Sequence, residues 1–325
     1  MATSTLPVAH SRSFAAELYG IGRTFLHVFA GYIVLIVAAA AYTFPYQVDS
    51  VTERGIAQPE DYGAFYKRIY SPAADPSAPQ EAEDANYVAL ARAAIQKTQV
   101  IPAIQTFVRD AHLEHARVLD VGSGTGYLQD IVENYVGLDI SPTASRYYHK
   151  PFIQASATEM PIPDNDFDLV WSVWVLEHVP NPEQALMEMR RVVKDGGYLY
   201  LAPAWNCSTY LADGYPVRPF SDYGLSGKLI KAGMYLDYFP PFYRATQLAR
   251  RAALATRQFS GPTRFHYRPL TPNYEHYWLE DSDAINSLDR YEMALWFTSR
   301  GDECLNCDDR FTNEVEQLVI RVHKH

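Results

Sequence analysis

Arg117-Val-Leu-Asp-Val-Gly-Ser-Gly-Thr-Gly-Tyr127 is followed at a short distance by Tyr135-Val-Gly-Leu-Asp-Ile-Ser141. Val118, Leu119 and Val121 form the short apolar run of a buried parallel strand. Gly122, Gly124 and Gly126 then alternate with small residues. Lacking Cβ atoms, they permit a tight turn and let a ligand lie directly against the backbone. Residues 127–133 are expected to open a helix whose first N–H groups face that ligand. A second strand over 135–138 delivers Asp139 at its C-terminal end, where doubly wound sheets set a carboxylate on a ribose diol. The stretch reads as a nucleoside-binding half of such a sheet.

Its spacing separates it from the dinucleotide fingerprint, which is G-x-G-x-x-G with an acid about 20 residues on. Here the glycines run G-x-G-x-G and Asp139 comes sooner. Downstream lie Glu159-Met-Pro-Ile-Pro-Asp-Asn-Asp-Phe-Asp-Leu-Val-Trp-Ser172, Val175-Leu-Glu-His-Val-Pro180 and Arg191-Val-Val-Lys-Asp-Gly-Gly-Tyr198. Taken with the glycine loop, these motifs resemble the class I S-adenosylmethionine-dependent methyltransferases, in particular the subgroup of quinone and sterol methyltransferases. The resemblance covers about residues 85–203. It implies an α/β fold, a doubly wound, seven-stranded Rossmann-like sheet, with S-adenosyl-L-methionine as cofactor.

What the resemblance implies for individual residues follows the motifs. The backbone of Gly122, Ser123, Gly124 and Gly126 would approach the methionine and ribose parts of the cofactor. Asp120 would help hold its ammonium end through water, Asp139 would accept both ribose hydroxyls, and Ile140 would pack on the adenine. Ala155-Ser-Ala-Thr158 stand where the family commonly shows Gly-Asp-Ala. Ser156 thus replaces a carboxylate that accepts from the adenine amino group, with Ala157 beside it and Ser172 completing the set. A hydroxyl accepts without charge assistance, so adenine affinity is expected to be lower.

Glu177 and His178 fall just after the expected fourth strand, at the carboxyl edge where such sheets bind ligands. His178 is a candidate base for a hydroxyl or enol acceptor, since its ordinary pKa is near neutrality. The alternative is a pair that caps the helix expected from Asn181 onward. Cys304-Leu-Asn-Cys307 is a C-x-x-C flanked by Asp302, Glu303, Asp308 and Asp309, which oppose thiolate formation. No second pair completes a zinc site, and a turn between two strands is expected there. Glu275, His276, Glu280, Asp281 and Asp283 are ligand types without a recognisable metal spacing, so no metal is expected.

The rest of the chain sets the context. Residues 1–24 are a polar tail, and 25–44 run without a charge for about the 30 Å thickness of a bilayer, as a single membrane span does. A signal peptide with tetra-alanine at 38–41 and a buried core helix are the alternatives. Arg12 and Arg23 before the span, against Arg54 after it, weakly favour an external enzyme; the cytosolic origin of the cofactor favours the cytosolic side, which is the expectation kept. Residues 45–84, with Pro72, Pro76 and Pro79, read as a flexible tether to a methyltransferase domain over 85–325.

Within that domain, helices are expected over 86–96, 100–112 and 182–193, strands over 152–154, 168–174 and 198–202, and an inserted lid over 204–280. A short capped helix over 281–289 and an antiparallel strand pair at 293–298 and 314–323 would end the chain. Between Lys228 and Arg268 stand eight basic residues and one acid, Asp237, a formal +7 in a chain of −10. On a helix, Phe242, Ala245, Leu248, Ala249, Ala252, Ala255 and Phe259 share one face; the segment suits a membrane surface, an anionic substrate or an ordinary lid. The acidic balance excludes nucleic acid as a general partner, and three cysteines demand no oxidising compartment. The composite expectation is an enzyme that methylates a lipidic or lipid-linked small molecule at a membrane. A binding protein that senses the cofactor without turnover and a nicotinamide-dependent oxidoreductase are the rival classes.

Overall fold

The computed structural model describes residues 14–43, 59–70, 82–237, 261–276, 278–307 and 317–324. The chain enters with α1 (Phe14–Thr43), α2 (Pro59–Ile69), α3 (Ala82–Lys97) and α4 (Val100–Asp110). Five strands then alternate with short connections: β1 (Val118–Val121), β2 (Tyr135–Asp139), β3 (Phe152–Gln154), β4 (Phe167–Val173) and, after α5 (Pro182–Val192), β5 (Val193–Ala202). Next come α6 (Leu225–Asp237), a two-stranded ribbon of β6 (Arg268–Pro269) with β7 (Asn286–Ser287), α7 (Arg290–Thr298), β8 (Glu303–Cys304) and β9 (Leu318–Arg321).

One sheet of seven strands runs in the order β3-β2-β1-β4-β5-β9-β8. The first five are parallel; β9 lies antiparallel to β5, with Leu199 opposite Ile320, and β8 antiparallel to β9. The strand order reverses between β1 and β4, which opens a crevice above their carboxyl ends. Successive side chains point to opposite faces of a strand. Accordingly Leu119, Val121 and Val170 join α5 and α7 in one core, while Val118, Leu169 and Trp171 join Val100, Ile104 and Val108 of α4 in the other. Helix ends follow local chemistry: Asn181 caps α5 by accepting from the Gln184 N–H, ahead of Pro182 in the first turn.

Four expectations change. Residues 127–134 form successive turns and bends, not a helix: the crossover from β1 to β2 is short, and the glycine loop at 122–126 takes its first part. Residues 293–298 are helical, not a strand. Asp289 caps α7 by accepting from Tyr291 and Glu292 N–H, and Met293, Leu295, Trp296 and Phe297 are all buried, a case in which apolar periodicity cannot tell helix from strand. The strand expected at 314–323 is present as β9 in the sixth sheet position, and the seventh goes to the very short β8 in place of 293–298. The helix expected over 281–289 is replaced by turns and β7. Finally, the tether expected over 45–84 contains α2, whose Phe65, Tyr66 and Ile69, with Tyr70 just beyond its end, are buried against Tyr87, Val88, Ile140 and Tyr274. Its aromatic residues supply the apolar surface that the flanking Pro- and Ala-rich segments lack.

Cys304 and Cys307 form a disulfide. After β5, residues 204–237 follow turns into α6, and Trp205 bridges to Leu288 beside β7. The basic amphipathic helix expected over 242–259 lies outside the described residues. α1 is a helix of 30 residues, beginning earlier than the span expected at 25. Its window Leu18–Leu35 is long and apolar enough to cross a membrane, and none of it is buried.

Candidate active site

Each part of the site hangs from a strand end. β1 presents Asp120, which is buried and accepts a hydrogen bond of 2.7 Å from the Tyr135 hydroxyl of β2. Burial pushes its pKa up to about 7, against the hydrogen bond from Tyr135, which favours the carboxylate. The chain then turns through Gly122 at φ 74° and Gly124 at φ 50°. A Cβ on Gly122 would lie 2.3 Å from both Val175 methyl carbons, so the loop packs there only as glycine.

Asp139, at the end of β2, binds this loop. One carboxylate oxygen accepts from Gly124 N–H at 2.9 Å and the other from Ser141 N–H at 2.8 Å. Burial raises its pKa, opposed by those backbone donors. The end of β4 leads to Trp174, held at φ 54°, an uncommon conformation for so large a residue and one that clusters at functional sites.

A cavity of about 440 Å³ lies along these ends, lined by Asp120, Gly122, Ser123, Gly124, Trp174 and His178 among others. A smaller one beside it is lined by Asp139, Ile140, Ala155, Ala157, Tyr66 and Tyr70. Of the residues expected from the motifs, Asp120, Gly122, Ser123, Gly124, Asp139, Ile140, Ala157 and His178 therefore meet around two adjoining spaces. Gly126, Ser156 and Ser172 line neither. A Cβ on Gly126 would press on Gln129 and Tyr148, Ser156 exchanges hydrogen bonds with Thr158, and Ser172 is buried within β4.

Tyr66, Tyr70, Tyr87, Trp174, Asp281 and Asp283 were not legible as site residues. The one available signal for the first three was the surplus of tyrosine outside the motifs.

His178 sits among carboxylates from two segments. Its Nδ1 is 3.4 Å from Asp283 Oδ2, and its Nε2 is 3.8 Å from Glu177 Oε1 and 3.9 Å from Asp281 Oδ1. Burial works against the charged ring, but Asp283, Glu177 and Asp281 outweigh it and hold its pKa above the ordinary value. Burial pushes Glu177 up to about 7 and Asp281 up to about 6, each partly offset by His178. Glu177 is fixed by accepting from Ala204 N–H at 3.0 Å. Glu177, His178 and Asp281 are also the group, among the described residues, whose ligand atoms lie within 4.8 Å of one another, close enough to share a cation.

A parallel sheet reversed at β1 and β4, a glycine loop tied to the carboxylate after β2, and an acid at the end of β1 define a nucleoside-binding enzyme fold. A methyltransferase-domain family profile matches residues 119–201. The ubiquinone biosynthesis O-methyltransferase of Dechloromonas aromatica is 30% identical over 192 residues, covering 54% of this chain and 77% of that protein. The ubiquinone/menaquinone biosynthesis C-methyltransferase of Ectopseudomonas mendocina is 36% identical over 133 residues, covering 35% of this chain and 52% of that protein. Among solved structures, a methyltransferase from Thermotoga maritima described as a possible histamine N-methyltransferase covers 73% of this chain and 95% of its own, at 15% identity and a TM-score of 0.37. The chain belongs to the class I S-adenosylmethionine-dependent methyltransferases. Its cofactor is S-adenosyl-L-methionine, and the residues present fit it: the cavity walls carry a glycine cradle, buried carboxylates, and the Thr125 hydroxyl, which has no hydrogen-bond partner among the described residues.

Proposed function

We propose that this enzyme methylates a hydroxyl of a quinone-type lipid, with Asp120 and Asp139 holding the cofactor and His178 taking the hydroxyl proton. The observation that carries the reading is the position of His178. It lines the larger cavity together with Gly122, Ser123, Gly124 and Trp174, so one imidazole borders both the cofactor loop and the apolar wall offered to an acceptor. When bound, adenosylmethionine supplies a methyl group on a sulfonium, and the protein's task is alignment. Asp283, Glu177 and Asp281 favour the imidazolium that forms as His178 accepts the proton. Trp174, Tyr87 and Val88 give the cavity apolar walls suited to a lipidic ring. The names of the relatives support the quinone class, since both act in quinone biosynthesis. Neither rival class has support among those relatives. In this reading α1 holds the enzyme in a bilayer, with the catalytic residues on the cytosolic side where the cofactor is made.

The test is transfer of labelled methyl from the cofactor to a short-tailed hydroxylated benzoquinol, beside the same ring with its hydroxyls already methylated. Label should enter only the first. Cofactor binding with no transfer to any quinol would support a sensor instead.

A second reading of the cluster rests on two buried oxygens that lack a hydrogen-bond partner among the described residues, Glu177 Oε2 and Asp283 Oδ1. Unpaired buried carboxylate oxygens are costly, and a divalent cation held by Glu177, His178 and Asp281 would neutralise the group. Titration with Mn²⁺ followed by electron paramagnetic resonance separates the two. Free-ion signal undiminished by the protein removes the cation reading.

A further inference from the structure

α2 touches both halves of the site through one residue. The Tyr66 carbonyl accepts from Ser141 Oγ at 3.0 Å, and the next carbonyl, that of Lys67, accepts from Thr143 Oγ1 at 3.1 Å. Ser141 is the residue whose N–H holds Asp139. The backbone of α2 is therefore clipped to the loop that carries the ribose carboxylate. The Tyr66 side chain reaches the other half of the site. The Tyr66 hydroxyl donates to Asp283 Oδ2 at 2.8 Å, and the same oxygen lies 3.4 Å from His178 Nδ1. The Tyr66 ring also stands edge-on to the imidazole, with centroids 6.3 Å apart and planes at 70°. One turn further, Tyr70 covers Gly124: a Cβ placed there would meet its hydroxyl at 3.1 Å.

We infer that Asp283 and Tyr66 are positioning residues for His178, so that the reaction's base is assembled only when α2 is seated on the cofactor loop. The inference rests on the reading of His178 as the base. An imidazole serves as a base only through an unprotonated nitrogen aimed at the acceptor. Four groups face this one: Glu177 from its own segment, Asp281 and Asp283 from the turn before β7, and Tyr66 from α2. Asp283, on the Nδ1 side, selects the tautomer with its proton on Nδ1 and leaves Nε2 as the acceptor, as an orienting carboxylate does in hydrolase triads. The 3.4 Å separation is long for a hydrogen bond, as such contacts often are before substrate binds. Asp283 is itself fully buried, and the Tyr66 hydroxyl holds it in place. Tyr66 thereby joins the loop of Asp139 to the base. The segment that does this lies where the sequence reads as a tether, next in the chain after the candidate membrane span.

The experiment uses the full chain in detergent, methyl-labelled cofactor and the short-tailed hydroxylated benzoquinol, with adenosylhomocysteine affinity measured by calorimetry. Tyr66→Phe keeps the ring and removes one hydrogen bond to a charged group, so kcat should fall about tenfold. Asp283→Asn, which reverses the tautomer preference, should cost about a hundredfold or more in kcat. The KM for the cofactor and the adenosylhomocysteine Kd should stay within about twofold in Tyr66→Phe, since the group lost acts on the base. Because both residues work through His178, Tyr66→Phe should cost nothing further in a His178→Ala background. A wild-type kcat in Tyr66→Phe overturns the inference. So does an equal loss in the His178→Ala background, or a fall in cofactor affinity that accounts for the whole loss. If His178→Ala keeps the wild-type kcat, the base assignment itself fails. If His178→Ala is inactive while Tyr66→Phe keeps the wild-type kcat, only the positioning role fails.

Discussion

Titrating cofactor affinity through the Asp120 carboxyl is the sharpest check on the site. Asp120 is buried at the end of β1 with its pKa pushed up to about 7, so its folded value lies above the ordinary 3.8. From about pH 4 to about pH 7 the unfolded chain has released this proton while the folded chain still holds it. The contribution of Asp120 to stability therefore falls as pH rises through that window and levels off above it. The full difference is on the order of 4 kcal/mol, at about 1.36 kcal/mol per pKa unit. An ammonium group bound beside Asp120 favours the carboxylate, so ligand binding reverses this preference and expels the proton.

Adenosylhomocysteine should consequently bind about tenfold more weakly at pH 6 than at pH 8, and about a hundredfold more weakly at pH 5. Calorimetry in buffers of different ionisation enthalpy measures both the affinity and the proton released. Asp120→Asn should bind more weakly at pH 8 and lose the step near pH 7, because an amide has no proton to give up there. A wild-type affinity that does not change between pH 5 and 8, or the same step in Asp120→Asn, would refute the placement of the ammonium end at Asp120.

Asp139→Ala removes the acceptor for Gly124 and Ser141 N–H as well as the one proposed for the ribose, and should weaken adenosylhomocysteine binding by well over tenfold at roughly 1.5–3 kcal/mol per charge-assisted bond. An unchanged calorimetric Kd would move the ribose elsewhere. Gly122→Ala should destabilise the fold by several kcal/mol and abolish cofactor binding, since the added carbon would overlap Val175 at a positive φ; chemical denaturation checks this, and a shift under about 1 kcal/mol contradicts it. Deleting residues 1–44 should leave a soluble protein that binds adenosylhomocysteine, whereas deleting 1–70 also removes Tyr66 and Tyr70 and should abolish binding. Equal binding by both truncations would mean that α2 is dispensable to the site.

Local chemistry made much of this enzyme legible in its sequence. Gly122 to Gly126 and Asp139 are close in the chain, and loop conformation and hydrogen bonding between neighbours depend little on the rest of the molecule. The apolar runs of β1, β2, β4 and β5 announce strands buried on both faces, and Asn181-Pro182 announces the start of α5. Those cues were enough for the family, the cofactor and the parallel part of the sheet.

Tertiary structure decided what depends on distant partners. Residues 293–298 are apolar enough for either a strand or a helix, and only burial on all sides, with Asp289 as cap, makes α7 a helix. α2 carries too few apolar residues to stand alone, and it becomes ordered structure because Tyr87, Ile140 and Tyr274 receive its aromatic side chains. In the sequence, Asp281 and Asp283 stand beside His276 and Glu280 with no recognisable metal spacing. Packing brings them more than 100 residues back along the chain to His178, with Tyr66 arriving from as far the other way. No spacing rule reports such a meeting, because the energy that enforces it lies in the burial of the elements between. The sequence by itself determined which cofactor this protein binds, and the folded core determined which carboxylates surround His178.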